Sequence, residues 1–205
     1  MKKLLKMLTV FFIILFSQTL FAQTPASQLA QYLNAFTTFQ AHFNQKTTDQ
    51  NHVLLQNSKG TVTLMRPSRF RWDTQNPSHQ IVVTNGKLLW IYDIDLKQVT
   101  QQSLAQSGVD PAQLLSGNVN HLLQQFNIII LKQNSSNIAF QLTPKKSSQQ
   151  FKSVIMIFEN NKLVQLQVIN NLDQISHFKF SNIILNANLN SALFNFKAPA
   201  GVDVL

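Results

Sequence analysis

The sequence contains no cysteine in 205 residues. That excludes disulfide frameworks, thiolate zinc sites, thiol catalysis and any lipid anchor attached through cysteine sulfur. Glycine is scarce too, at 5 residues, which leaves little room for a glycine-rich phosphate-cradling loop. Charge is thin: 12% of residues are charged, about half the ~25% of ordinary globular chains. The shortage falls mainly on acids, with Asp+Glu at 8 against Lys+Arg at 17 and a formal net charge of +9. In their place stand apolar side chains, 44% of the total, with 16 phenylalanines. Such a chain buries enough apolar surface to offset its ordering entropy and reads as folded.

Part of the basic excess belongs to the N-terminus. Lys2, Lys3 and Lys6 precede an almost wholly apolar run from Met7 to Phe16, and Ser17, Gln18 and Thr19 break it before the small Ala22. This is the layout of a secretory signal peptide over residues 1–22, with cleavage expected after Ala22. The apolar run is shorter than the ~20 residues of a spanning helix. The expected mature product, residues 23–205, is therefore a soluble exported protein of one domain.

The remainder opens with one helix pattern and then changes period. Pro25 and Ser27 start it, and Leu29, Tyr32, Leu33 and Phe36 recur at helical spacing. From Phe39 onward apolar and polar residues alternate, as in Phe39-Ala41-Phe43, Val62-Leu64 and Phe70-Trp72. Asn85-Gly86 and Asn160-Asn161 mark hairpin turns. Between the two groups of strand patterns, Asp110-Pro111 starts a helical stretch that Ser116-Gly117 breaks before Phe126. About ten or eleven strands in succession predict a mainly β fold with helices. The expected architecture is a single long antiparallel sheet curled into an unclosed β-barrel with a helical lid, because a sheet of that length must curl, close or split.

Catalytic and metal-binding patterns are missing. The histidines His42, His52, His79, His121 and His177 have no HxH, HxxxH or HExxH spacing. Asp93 and Asp95 read as a solvated loop pair, and no serine sits in a Gly-x-Ser-x-Gly elbow. The reading is a non-enzyme with no cofactor, no catalytic residue and no metal. Basic residues are scattered apart from Arg66-x-x-Arg69-x-Arg71 and Lys145-Lys146, and with an export signal they argue against nucleic acid as a partner. Phe70, Trp72, Leu88, Trp90, Tyr92, Phe151, Phe158, Phe178 and Phe180 occupy alternating strand positions. They either fill an ordinary core or line an apolar cavity that so few helices cannot fill.

Several segments, in order, resemble the periplasmic outer-membrane lipoprotein carrier family, LolA. They are Phe39-x-Ala41-x-Phe43-x-Gln45-Lys46, Arg66-Pro67-x-x-Phe70-x-Trp72, Val83-x-x-Gly86-Lys87-x-Leu89-Trp90-x-Tyr92, the 111–126 insertion, Leu142-Thr143-Pro144-Lys145 and Phe194-x-Phe196-x-x-Pro199-x-Gly201-Val202. The resemblance implies a monomeric periplasmic chaperone whose apolar cavity takes the acyl chains of lipoproteins. Its implied partners are acylated lipoproteins, an inner-membrane ABC-type lipoprotein release complex and an outer-membrane lipoprotein acceptor. Such an acceptor carries an N-terminal cysteine, which this chain lacks.

By the same resemblance, Arg66 holds the lid helices shut, Phe70, Trp72 and Trp90 lie at the cavity or its mouth, and Leu114 and Leu115 are apolar lid positions. The chain departs from the family at Ala112 and Gln113, where bulkier lid side chains occur, and in the short stretch after Gly201-Val202. Both departures bear on cavity size and handover. The alternative is a periplasmic lipid-binding sensor or regulatory module of the same fold, which would be expected to append a second domain.

Overall fold

The first helix forms where its caps and apolar stripe coincide. In the computed structural model, which describes residues 23–107, 111–146 and 151–205, α1 spans Pro25–Asn34. Thr24 caps it, its hydroxyl accepting from the Ser27 amide at 3.1 Å, and Pro25 occupies the first turn, where no amide donor is needed. Leu29 and Leu33 are fully buried on its inner side, and the Tyr32 ring meets Phe140 and Phe158 at 5.8 and 4.8 Å. The expected signal segment 1–22 and Asp110 lie outside the described residues.

Strands then follow as β1 (Thr38–Thr48), β2 (Leu54–Met65), β3 (Arg69–Asn76), β4 (Gln80–Thr84), β5 (Leu88–Asp93) and β6 (Gln98–Ser103). The helical stretch is broken as its sequence suggests, into α2 (Pro111–Ser116) and α3 (Val119–Gln125). The second series is β7 (Phe126–Gln133), β8 (Asn137–Pro144), β9 (Phe151–Glu159), β10 (Lys162–Asn170) and β11 (Ile175–Leu185), with a short β12 at Asp203–Val204. Both expected hairpin turns are present. Asn85 Oδ1 accepts from the Lys87 and Leu88 amides while Gly86 takes φ 94°, and Asn160 and Asn161 take φ 47° and 64°.

All the strands form one 12-stranded sheet in the order β12-β6-β5-β4-β3-β2-β1-β11-β10-β9-β8-β7. Two features differ from a simple antiparallel succession. The two series are joined by pairing of β1 with β11, so β6 and β7, consecutive strands, stand far apart with the helices between them in sequence. Secondly, β12 pairs with β6 in parallel, which only a returning tail can do. The sheet edges, β7 and β12, do not pair with each other, so the barrel is unclosed.

Curling is evident from what shares a space. Val82 on β4 and Phe151 on β9 line one cavity, although six steps separate their strands in the sheet. Laid flat, those steps would hold them about 29 Å apart at the usual strand spacing. The helices and the main apolar cluster occupy the inner face of this curl, from Phe39, Phe43 and Leu64 across to Phe140, Met156 and Phe158.

Candidate functional site

Arg66 stands just after β2, where the chain turns away from the sheet toward the helices. Its guanidinium is spent on helix-end carbonyls. Nε and Nη2 donate to the Leu115 carbonyl at 3.0 and 2.9 Å, and Nη1 donates to the Leu33 carbonyl and to that of Phe36 at 3.2 Å. One planar cation thus joins the C-terminal end of α1 to the C-terminal end of α2, where unpaired carbonyls and the helix dipole favour positive charge. The Phe36 ring lies under it, 4.4 Å from the guanidinium carbon to the centroid. Burial pulls the Arg66 pKa down from its usual range to about 10, so the group stays cationic at neutral pH. Among the described residues no carboxylate pairs with it.

Three further bonds reinforce the tie. The Ser68 amide donates to the Ser116 carbonyl at 2.8 Å, adding backbone support to α2. Asn186, just past β11, accepts from the Thr37 amide at 2.8 Å and donates to the Ala35 carbonyl at 3.0 Å. The loop after α1 is therefore gripped from both sides, by Arg66 and by Asn186. Nothing in the sequence periodicity marks Asn186, since it lies beyond the alternating stretch and acts across 149 positions.

Beside the start of α2 lies a cavity of about 380 Å³, within the usual range for ligand sites. Phe70, Trp72, Val82, Val168 and Phe178 form its apolar wall, and Pro111 and Ala112 supply the part contributed by α2. Phe151 also lines it. Phe70 is completely buried, whereas Trp72 keeps 9% exposure and sits between Phe43, tilted at 4.6 Å, and Phe178, edge-on at 5.5 Å. The remaining lining is polar without charge: Gln45, Gln56, Thr74, Gln80 and Ser176.

Phe70 and Trp72 are thus brought together, and the lid positions are distributed differently from the expectation. Leu115 is fully buried in the main cluster, and its carbonyl is an Arg66 acceptor. Leu114 borders a second hollow of about 290 Å³ with Ser68, His121 and Leu122. The small Ala112, not a leucine, meets the main cavity.

Trp90 requires a correction. It is buried, but in a separate cluster with Ile81, Val83 and Val99 on the outer face. Register explains why. Val83 lies opposite Trp90 and Ile81 opposite Tyr92, while Val82, which lines the cavity, lies opposite Ile91. Leu89 and Ile91 therefore face inward, and Trp90 and Tyr92 face outward. The C-terminal tail covers them, with the Phe196 ring 6.3 and 5.5 Å from theirs, and Trp90 Nε1 donates to Gln101 Oε1 at 2.8 Å.

Comparison with known proteins agrees with this architecture. Residues 34–197 match the family model described as outer membrane lipoprotein carrier protein LolA. An outer-membrane lipoprotein carrier protein of Coxiella burnetii is 48% identical over 187 residues, covering 90% of this chain and 88% of its own. One from Legionella pneumophila is 37% identical, covering 94% and 95%. Two solved structures share the fold at lower identity. A LolA-superfamily protein from Nitrosomonas europaea superposes with a TM-score of 0.51 at 13% identity, covering 83% of this chain and 97% of its own. A conserved protein from Thermus thermophilus reaches a TM-score of 0.57 at 12% identity, covering 89% and 99%. With a family match over most of its length and relatives of this similarity, the chain belongs to the LolA family of outer membrane lipoprotein carrier proteins.

Proposed function

We propose that this protein is a periplasmic chaperone-carrier that shelters the acyl chains of lipoproteins in the cavity bordered by α2. It receives them from an inner-membrane release complex and passes them to an outer-membrane acceptor. The observation that carries this reading is the pairing of a cavity with an apolar wall and two helix ends joined through one guanidinium, that of Arg66. Each acyl CH₂ removed from water is worth ~0.8 kcal/mol, so a lipoprotein leaves a membrane only into a comparably dry shelter. A carrier must also let go. Carbonyl-to-guanidinium bonds can be exchanged for water one at a time, and releasing α2 from α1 would let α2 move off the cavity that its Pro111 and Ala112 border.

The carrier role of the relatives supports a protein that moves cargo without transforming it. Energy for loading then comes from the release complex. Incubated with spheroplasts containing that complex, the purified protein is expected to bring lipoproteins into the soluble fraction. Failure to release any lipoprotein there would remove the carrier reading.

A further inference from the structure

The inner face of the sheet changes character along its strands. Near the lid it is aromatic and aliphatic. Toward the ends farthest from Arg66 it becomes polar but carries no charge: Gln45, Thr47, Gln56, Thr74, Gln80 and Ser176 succeed one another across β11, β1, β2, β3 and β4. Five of these six line the cavity, together with Phe70, Trp72 and Phe178 one or two rungs deeper. Ordinary solubility does not require this arrangement, since polar residues could equally have been placed on the outer face.

The hydrogen-bonding capacity of this band is mostly unspent. Gln45 donates to Thr47 at 3.2 Å, and Thr47 pairs with Ser176 at 2.8 Å. The side-chain amides of Gln56 and Gln80 have no partner among the described residues. Ser58, opposite Gln45 on the same face of β2, is 3% exposed, and its hydroxyl also lacks a partner. Buried or half-buried donors without partners, here Ser58 and Gln80, cost free energy unless a ligand satisfies them, whereas the exposed Gln56 amide is hydrated and can exchange water for a ligand at the cavity rim. Neutral amides and hydroxyls match carbonyl oxygens and hydroxyls, and they offer no counter-charge to a carboxylate or phosphate.

We propose that this band is a polar-linkage subsite, at which Gln56 and Gln80 donate to the ester or amide carbonyls that join acyl chains to their uncharged head. The chains themselves run on toward Phe70 and Trp72. The inference rests on the carrier reading and deepens it. An apolar wall alone accepts any hydrocarbon, whereas a carbonyl-reading band at the right depth accepts acyl chains attached through esters or amides. It also fixes how far a chain enters, because the carbonyl halts where its donors are.

The test compares two ligands that differ by one carbonyl. Monopalmitoyl glycerol and hexadecyl glyceryl ether are titrated against the purified protein loaded with an apolar fluorescent dye, and displacement is followed. The native protein is expected to bind the ester at least about threefold more tightly than the ether, the scale of one neutral hydrogen bond. In Gln56→Leu/Gln80→Leu the ether should bind as well as before and the preference should fall to about onefold. Should that pair of changes prevent folding, Gln56→Leu alone, at an exposed position, is expected to reduce the preference. Equal binding of ester and ether by the native protein, or an unchanged preference in the variants, overturns the subsite. If neither amphiphile displaces the dye, it is the carrier reading that has failed.

Discussion

The guanidinium of Arg66 lies on the Phe36 ring while donating to the carbonyl of that same residue, so one loop residue contacts the cation through both its side chain and its backbone. Phe36 belongs to the link between α1 and β1 and also packs on Phe39, at 5.8 Å between ring centroids. The tie that Arg66 makes between the helices is therefore continuous with the core of the sheet.

Replacing Arg66 with leucine should leave the sheet folded and loosen the helices. Losing the donors to Leu33, Phe36 and Leu115 is expected to raise amide hydrogen exchange in α2 and in the end of α1 by about tenfold or more. Arg66→Lys should not restore protection, because a lysine ammonium lacks the fork that reaches both helices. Unchanged exchange in both helices would show that other contacts hold the lid. A double-mutant cycle with Phe36→Leu should give a coupling of about 0.5–2 kcal/mol.

Gly60 sits in β2 where the β3 backbone comes unusually close. A Cβ built on it would stand 1.9 Å from the Asp73 carbonyl oxygen, a distance no relaxation of a side chain can relieve. Gly60→Ala is therefore expected to cost about 1–3 kcal/mol or more through backbone displacement. Chemical denaturation measures it, and a loss below about 0.5 kcal/mol would contradict the close approach.

The tail and the cavity lie on opposite faces of the sheet and should respond separately. Phe196→Ala uncovers Trp90 and Tyr92 and is expected to lower stability by roughly half the ~3–5 kcal/mol of a fully buried Phe→Ala change. Dye uptake by the cavity, measured well below the melting temperature, should stay as in the native protein. A parallel loss of uptake would mean that the tail shapes the cavity through the sheet.

His177 supplies a pH dependence of defined sign. Partial burial, and secondarily the positive charge of Lys179, lowers its pKa below 6.5, and Lys46 lies opposite it on β1. The folded protein then binds a proton there less readily than the unfolded chain. Stability from this group is intact above about pH 6.5 and declines as pH falls through the lowered pKa. Thermal melts at pH 7.5 and 5 should show a smaller pH-induced drop in His177→Gln than in the native protein. An equal drop would place the sensitivity elsewhere.

Local rules carried the sequence reading a long way. Alternation in Phe39-Ala41-Phe43 and Phe70-Trp72 assigned those side chains to the inner face, where they lie. The opening at Pro25 and Ser27 and the break at Ser116-Gly117 placed the helices. The reading failed at Leu88-Leu89-Trp90-Ile91-Tyr92, which is apolar at every position and so cannot say which face is in. Only pairing with β4, whose Val82 faces the cavity, turned Trp90 outward.

The sequence by itself determined most of the elements, about ten or eleven of the twelve strands, because caps, turns and periodicity act over a few residues, whereas the short β12 forms only by pairing with β6. It also set their uncharged, aromatic composition, and through the Arg66-Pro67-x-x-Phe70-x-Trp72 stretch it pointed to the family. Tertiary structure decided what lay far apart along the chain: the joining of β1 to β11, the parallel return of β12, the grip of Asn186 on the loop after α1, and the convergence of Leu33, Phe36 and Leu115 on one guanidinium. Each of these depends on where a curled sheet brings distant backbone groups together, and a polar atom records no preference among carbonyls until the fold has placed one within reach.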